Sequence, residues 1–400
     1  MSPTTMAWRR LIRRPTTTLL NLVLLALGTA ALATMLLVMG QLTDAAERNA
    51  AAADLVVGGN TSPAQLVLSG IFHLDAPPAP VPLARLAPVL AQPLVKRWVP
   101  VALGDSVEGH RVVGTQVPEF AGLYAAALSA GRWPVLPGDA VLGADVARAT
   151  KLSAGAAFAT AHGLSSDAEL HADLRHRVAG VLQRTGTVVD KLVLVPIEAV
   201  WAAHAPSPHI DGLGKPPAEE PDRKASLVLV QYASPLGAVL LPRALQAAGL
   251  QTASPAREAA KLFSMVQLGA DGTWMLGALL MLCAAVAVCA GLMASRREQV
   301  RDVAVLRLLG ASRGFTAAVV ACEAVLIALL GTAAGLVIAH GAVEWIGQRL
   351  PASAPGLTGW AVHPGEAALA LAACAVALLG AAWPAWQAQR AAVADVLAMR

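Results

Sequence analysis

Four runs of apolar residues divide the chain: Leu19–Met39, Trp274–Met293, Phe315–Ala339 and Glu366–Trp383. Each is roughly 18 to 25 residues long, the length at which a helix crosses a hydrocarbon core. The pattern predicts spans at 19–42, 271–294, 315–340 and 366–384. Between the first two spans, residues 43–270 have a different texture. Short β-rich runs, "RVVGT" (111–115), "RVAGVL" (177–182), "KLVLVP" (191–196) and "SLVLVQY" (226–232), alternate with alanine-rich stretches of helical period at 139–150 and 236–249. The expected fold is an α-helical membrane protein with four transmembrane helices and a large α+β extracytoplasmic domain inserted between the first and second. Two proline-rich segments, "APPAPVP" (76–82) and "APSPHIDGLGKPPAEEP" (205–221), have the composition of surface loops. From Ser254, a cap followed by Pro255 at the first helical position, a helix is expected to run towards the second span. With the end of the first span near 41–53 it would form a stalk. No internal repeat is visible.

The segments between the runs set the orientation. Arg9, Arg10, Arg13 and Arg14 lie in 1–18, ahead of the first run. That run exceeds the usual apolar core of a signal peptide, about 7 to 15 residues, and so reads as a retained anchor. Arg296, Arg297, Arg301, Arg307 and Arg313 fall in 295–314 against Glu298 and Asp302, and Arg390 and Arg400 come after the fourth run. By the positive-inside rule these three basic pieces, including the tail 385–400, are cytoplasmic. Residues 43–270 carry 18 basic and 19 acidic residues, net −1, and the loop 341–365 is nearly neutral, so both face outwards. The overall charge of +4 is then a topology signal and not a nucleic-acid footprint.

Composition agrees. The chain of 400 residues is 56% hydrophobic and 14% charged, a balance that points to a membrane protein. Cys283, Cys289, Cys322 and Cys374 all lie in the expected spans, so the outer domain must hold together without disulfides. Catalytic motifs are missing. None of the six lysines precedes Ser or Thr, as a nucleotide-binding P-loop requires, and "GLGKPP" has Pro216 in that place. No His-Glu pair opens a zinc-protease helix, and the one Gly-x-Ser-x-Gly string, Gly310 to Gly314, lies between two expected spans and not after the strand a nucleophile elbow requires. Among nine histidines, His171, His176, His204 and His209 are the weak candidates for a metal site, although their spacing of five matches no known ligand pattern.

As a helix, the inner segment has Val300, Val303, Ala304 and Leu308 on one face and Val305, Leu306 and Leu309 on other sides. A charged helix apolar on several sides must bury more than one face, which suggests the spans on one side and a protein partner on the other. Gly310 ends it and Ser312 caps the next helix. That next span carries Glu323, an ionisable group expected to face a protein interior. Gly331 and Gly335 form a Gly-x-x-x-Gly pair that lets another helix approach, within one subunit or across a dimer.

"RDVAVLRLLGASR" (301–313), Glu323 and "LLGTAAGLVIA" (329–339) together resemble the signature of FtsX/MacB/LolC-type ABC transporter permeases. In that pattern an Arg-Glu pair precedes Leu-Arg-x-Leu-Gly-Ala-Ser. Arg301 and Asp302 occupy the pair, and Leu306, Arg307, Gly310, Ala311 and Ser312 match the second element. The tail "PAWQAQRAAVADVL" (384–397) is similar to the family's closing motif, with Val393 in place of proline and Asp395 in place of glutamate. "VLGADVARATKLSAGAAF" and "VAGVLQRTGTVVDKLVLVPIEAVW" are similar to the family's periplasmic core, with Ala156 where a Gly-Asp turn is common.

The resemblance implies a non-catalytic permease subunit in a bacterial inner membrane, both termini cytoplasmic and the large domain periplasmic. Arg297, Arg301, Asp302, Leu306, Arg307, Gly310 and Ser312 would seat on a separate cytoplasmic ATPase, which binds the ATP and magnesium, while Glu323, Gly331 and Gly335 serve the spans. A second permease copy, a homodimer, and a periplasmic partner protein are implied; this chain has no cofactor of its own. The substrate class would be a lipoprotein, lipid or peptide, or the output mechanical signalling. A zinc-related ABC system and a membrane-anchored ligand sensor without an ATPase are the alternatives.

Overall fold

The computed structural model describes residues 2–162, 170–203, 223–294, 312–350 and 356–390. The chain divides into two compact units. One comprises Met1–Gln41, Met265–Leu350 and Gly356–Arg400, and the other Leu42–Ser264 with Pro351–Pro355.

The first unit is helical. Helix α1 (Pro3–Arg13) starts at Ser2, whose hydroxyl accepts from Thr5 N at 3.3 Å, and α2 (Pro15–Ala50) begins after one residue. Pro15 forces the break, because the residue before a proline is pushed out of helical conformation, and Arg14 sits at φ −126, ψ 63. Helix α9 (Pro255–Ala294), α10 (Arg313–Gly347) and α11 (Gly365–Arg390) complete the set. Among the described residues, four helices are thus long and apolar enough to cross a membrane. At 36 and 40 residues, α2 and α9 extend about 54 and 60 Å, well beyond a hydrocarbon core of about 30 Å.

The second unit is a mixed sheet covered by helices on both faces. Its strands are β1 (Leu55–Gly58), β3 (Val95–Val107), β4 (His110–Thr115), β5 (Leu128–Gly131), β6 (Asp139–Leu142), β7 (Ala157–His162), β8 (Leu170–Leu182), β9 (Val193–Pro196), β11 (Leu227–Tyr232) and β12 (Gln251–Ala253). Among the described residues they run in the order β12-β1-β11-β3-β4-β9-β6-β8-β5, with β7 pairing β3 and β8. The pairs β4–β9 and β6–β8 are parallel and the others antiparallel. A tight turn with positive φ at Glu108 and Gly109 joins β3 to β4 and suits the twist of a hairpin.

Side chains alternate between the two faces, as the two-residue period of a strand requires. Val56, Val113, Leu194 and Leu229 enter one core with Phe120 of α5 (Val117–Leu123) and Leu66 of α3 (Pro63–Gly70). Leu55, Val57, Val228 and Val230 face the opposite side against Leu86 of α4 (Leu83–Leu90) and Leu241 of α8 (Gly237–Ala247). Further along that side Val112, Val193 and Val195 meet Val146 of α6 (Ala144–Thr150) and Val200 of α7 (Ile197–Ala203). Burial on both faces explains the unbroken apolar runs in β9 and β11. Each fully buried large side chain contributes about 1.5–3 kcal/mol, and the core contains no cysteine.

Two expectations are corrected. The stretch 139–150 is not one helix: Asp139–Leu142 form a strand between β8 and β9, and Gly143 then turns the chain into α6. Sheet pairing overrides the helical period of its alanines. The segment 76–82 ends in a short strand, β2 (Val81–Pro82), paired with β10 (Lys224–Ala225). Residues 205–221 lie outside the described residues.

Candidate functional site

Of the residues assigned to the inner loop, Arg297, Arg301, Asp302, Leu306, Arg307 and Gly310 lie outside the described residues. Ser312 is described. Its hydroxyl accepts from Phe315 N at 3.2 Å and caps α10, so the helix after the loop starts with an orphan donor satisfied.

Inside the helical unit, small residues mark where helices touch. A Cβ at Gly331 would come within 2.8 Å of Leu25, and one at Gly335 within 2.7 Å of the Ala26 carbonyl and of Thr29 Cβ. Both glycines therefore receive α2 of the same chain. Gly28 meets Leu280 and Met281 on α9, and Gly380 of α11 faces the Ala285 carbonyl on α9. Glu323 is buried in α10, and its Oε2 has no hydrogen-bond partner among the described residues. Helix α1 packs against α10, and among the described residues Arg10 and Arg14 are cations near enough to act on Glu323. Sequence reasoning missed this approach because it took the N-terminal arginines only as a topology signal.

A polar network closes one end of this unit. His340 Nδ1 lies 2.5 Å from the Gly359 carbonyl, and its Nε2 lies 3.2 Å from Glu366 Oε2. Gly359 N donates to Glu344 at 2.9 Å, and Gln41 exchanges two hydrogen bonds with the Thr358 backbone, at 2.9 and 3.0 Å. Ionisable residues at the very ends of apolar runs were the only signal for this cluster.

Among its described residues the second unit holds three buried histidines, His73, His110 and His176. Both ring nitrogens of His73, and Nδ1 of the other two, lack a partner among the described residues. Burial pushes His73 down to about 3, and the nearby Arg111 guanidinium adds to the effect. Burial also lowers His110 and His176. His176 stacks on Phe158, with ring centroids 5.7 Å apart. The side chain of His171, and all of His204 and His209, lie outside the described residues. Among those described, no group of three or more His, Cys, Asp or Glu side chains could hold a metal ion.

Two family models match the chain. The MacB-like periplasmic core domain matches residues 18–235, and the FtsX-like permease C-terminal domain matches 274–392. The chain belongs to the FtsX/MacB-type permeases of ABC transporters. It is a membrane protein whose mixed α/β periplasmic core domain comes after the first of four apolar helices. Such a permease is the non-catalytic component of its transporter and implies an ABC ATPase as partner. Among solved structures, the extracellular domain of the noncanonic ABC-type transporter YknZ from Gram-positive bacteria is 15% identical, with a TM-score of 0.31 over 50% of this chain and 98% of that one. The periplasmic region of MacB from Actinobacillus actinomycetemcomitans is 10% identical, with a TM-score of 0.32 over 53% of this chain and 91% of that one. No curated protein matches significantly.

Proposed function

We propose that this chain is a mechanical transmitter: an ABC permease subunit that converts ATP hydrolysis by a separate cytoplasmic ATPase into movement of its periplasmic domain. The inner segment 295–314 seats on the ATPase, with Arg297, Arg301, Asp302, Leu306 and Arg307 at the contact and Gly310 and Ser312 turning the chain into the third span. The termini and this loop are cytoplasmic, in a bacterial inner membrane, and two permease chains pair over two ATPase subunits. The work is done on a lipoprotein, lipid or peptide, or on a periplasmic partner protein.

The observation that carries this reading is the way the long helices join the sheet. Helix α2 leads into β1 and α9 emerges from β12, and these two strands are adjacent and antiparallel, with Val56 opposite Ala253 and Val57 opposite Thr252. A shift of α2 against α9 therefore acts on one pair of neighbouring strands at the edge of the sheet. Hydrogen-bonded strands are stiff, so the displacement passes to the domain as a whole and is not absorbed in a loop. The test is copurification of the full chain with a P-loop ATPase, repeated for Arg301→Glu and Arg307→Glu. The proposal expects both reversals to weaken association about tenfold or more, as for contacts between opposite charges. Undiminished association and hydrolysis in both variants would refute it.

A further inference from the structure

The polar network at the end of the helical unit sets two acceptors against the His340 ring, one more than the single N–H of a neutral imidazole can serve. The Gly359 carbonyl can only accept, so His340 Nδ1, 2.5 Å away, carries a hydrogen. Glu366 stands in the first turn of α11, where the helix dipole favours a carboxylate, and its Oε1 already accepts from His363 N at 2.8 Å. Its Oε2 faces His340 Nε2 at 3.2 Å. A carboxylate also only accepts. Both ring nitrogens can donate together only in the imidazolium form.

We infer that His340 and Glu366 form a proton-dependent clasp between α10 and α11, closed when the imidazole carries its second proton. Other groups near the clasp are already engaged. From α10, Glu344 accepts from Gly359 N and lies near Gln348 and Thr358. From α11, His363 Nδ1 accepts from Gly365 N at 3.0 Å, and its ring lies where a Cβ on Gly40 of α2 would point. From α2, the uncharged Gln41 holds Thr358. Glu366 is thus the one carboxylate bonded to the ring among the described residues, and the loop backbone is secured by Glu344 and Gln41 without it. Losing the proton opens the Nε2–Oε2 link alone.

The surroundings give water access to the site. Trp360 is 85% exposed on the same loop, and Trp345 carries the Arg349 guanidinium 3.9 Å above its ring. Exposed tryptophans and a cation at the end of an apolar helix mark the membrane–water interface. Protons from the aqueous side therefore reach His340, and the clasp responds to the pH there. With the proton bound, a charge-assisted hydrogen bond ties α10 to α11 at this end; without it that tie is lost, while the shared apolar core and the Glu344 and Gln41 bonds remain.

The test uses the full chain in lipid nanodiscs, labelled with ¹⁵N at histidine and followed by NMR from about pH 5.5 to 8.5, with His340→Gln to assign the signal. The clasp predicts that both His340 nitrogens are protonated at about pH 6, and that Glu366→Gln lowers the midpoint of this protonation by about one pH unit. A neutral ring at that pH, or an unchanged midpoint in Glu366→Gln, would overturn it. Thermal unfolding of wild type and Glu366→Gln over the same range gives a second readout that needs no assignment. The clasp predicts that Tm falls more steeply with rising pH in the wild type; equal slopes would overturn it. Neither measurement requires an ATPase, so its outcome is independent of the transmitter proposal.

Discussion

Acid should weaken the periplasmic domain through His73. Its ring is 4% exposed, packs edge-on against Phe120 at 6.2 Å, and titrates at about 3 in the folded protein against 6.5 in a free chain. Between those values the unfolded chain binds a proton that the folded domain does not. Stability therefore rises with pH through this window and is lost on acidification. The full difference of about 3.5 units corresponds to roughly 5 kcal/mol, reached only below about pH 3, and at about pH 5 some ~2 kcal/mol is already lost. Asn is the informative replacement, because it does not titrate and tolerates the left-handed backbone at this position, φ 54. Urea unfolding of the full chain, tracked by tryptophan fluorescence at about pH 7.5 and about pH 5, should show wild type losing about 2 kcal/mol more than His73→Asn. His110 and His176 titrate in both proteins and cancel. Equal losses would refute the reasoning.

Three further outcomes are expected. Gly335→Val should cost about 1–3 kcal/mol by driving α10 away from α2, whereas Gly341→Ala, with nothing within 4 Å of its added carbon, should leave Tm unchanged or slightly raised; similar effects would contradict the crossing at Gly335. Asp139→Asn should destabilise the periplasmic domain by about 1.5–3 kcal/mol in urea titration, since the buried carboxylate accepts from Arg132, Val135 N and Leu136 N. A cysteine at Glu198 should react with a membrane-impermeant maleimide in intact cells and one at Arg307 should not; labelling of Arg307→Cys from outside would reverse the proposed topology.

Much of the architecture was legible because its determinants are local. Each of the four apolar runs lies within one long helix, and the runs around Val113, Leu194 and Leu229 became strands where their β-branched residues stood. The helical reading of 139–150 went wrong where a non-local force decided. Val141 and Leu142 complete a sheet whose partners lie about 40 to 55 positions along the chain, and the alanines alone favour a helix. The partner of Gly331 and Gly335 was equally hidden, since a small-residue pair shows that something approaches but not that it is α2. The His340–Glu366 pair joins residues 26 positions apart across a loop, and no spacing rule anticipates it. His73, His110 and His176 of the periplasmic domain were visible as residue types, but their ring nitrogens without a partner among the described residues arise only from packing.

Spin labels on α2 and α9 test the proposed transmission of ATP hydrolysis through these two helices. With Cys283, Cys289, Cys322 and Cys374 replaced and exposed Glu47 and Lys261 changed to labelled cysteines, the label-to-label distance can be measured in the complex with the ATPase, with and without trapped ATP. The account predicts a change of about 2 Å or more on nucleotide trapping, abolished by Arg307→Glu. A distance that stays the same with and without nucleotide, in a complex that hydrolyses ATP, would contradict it.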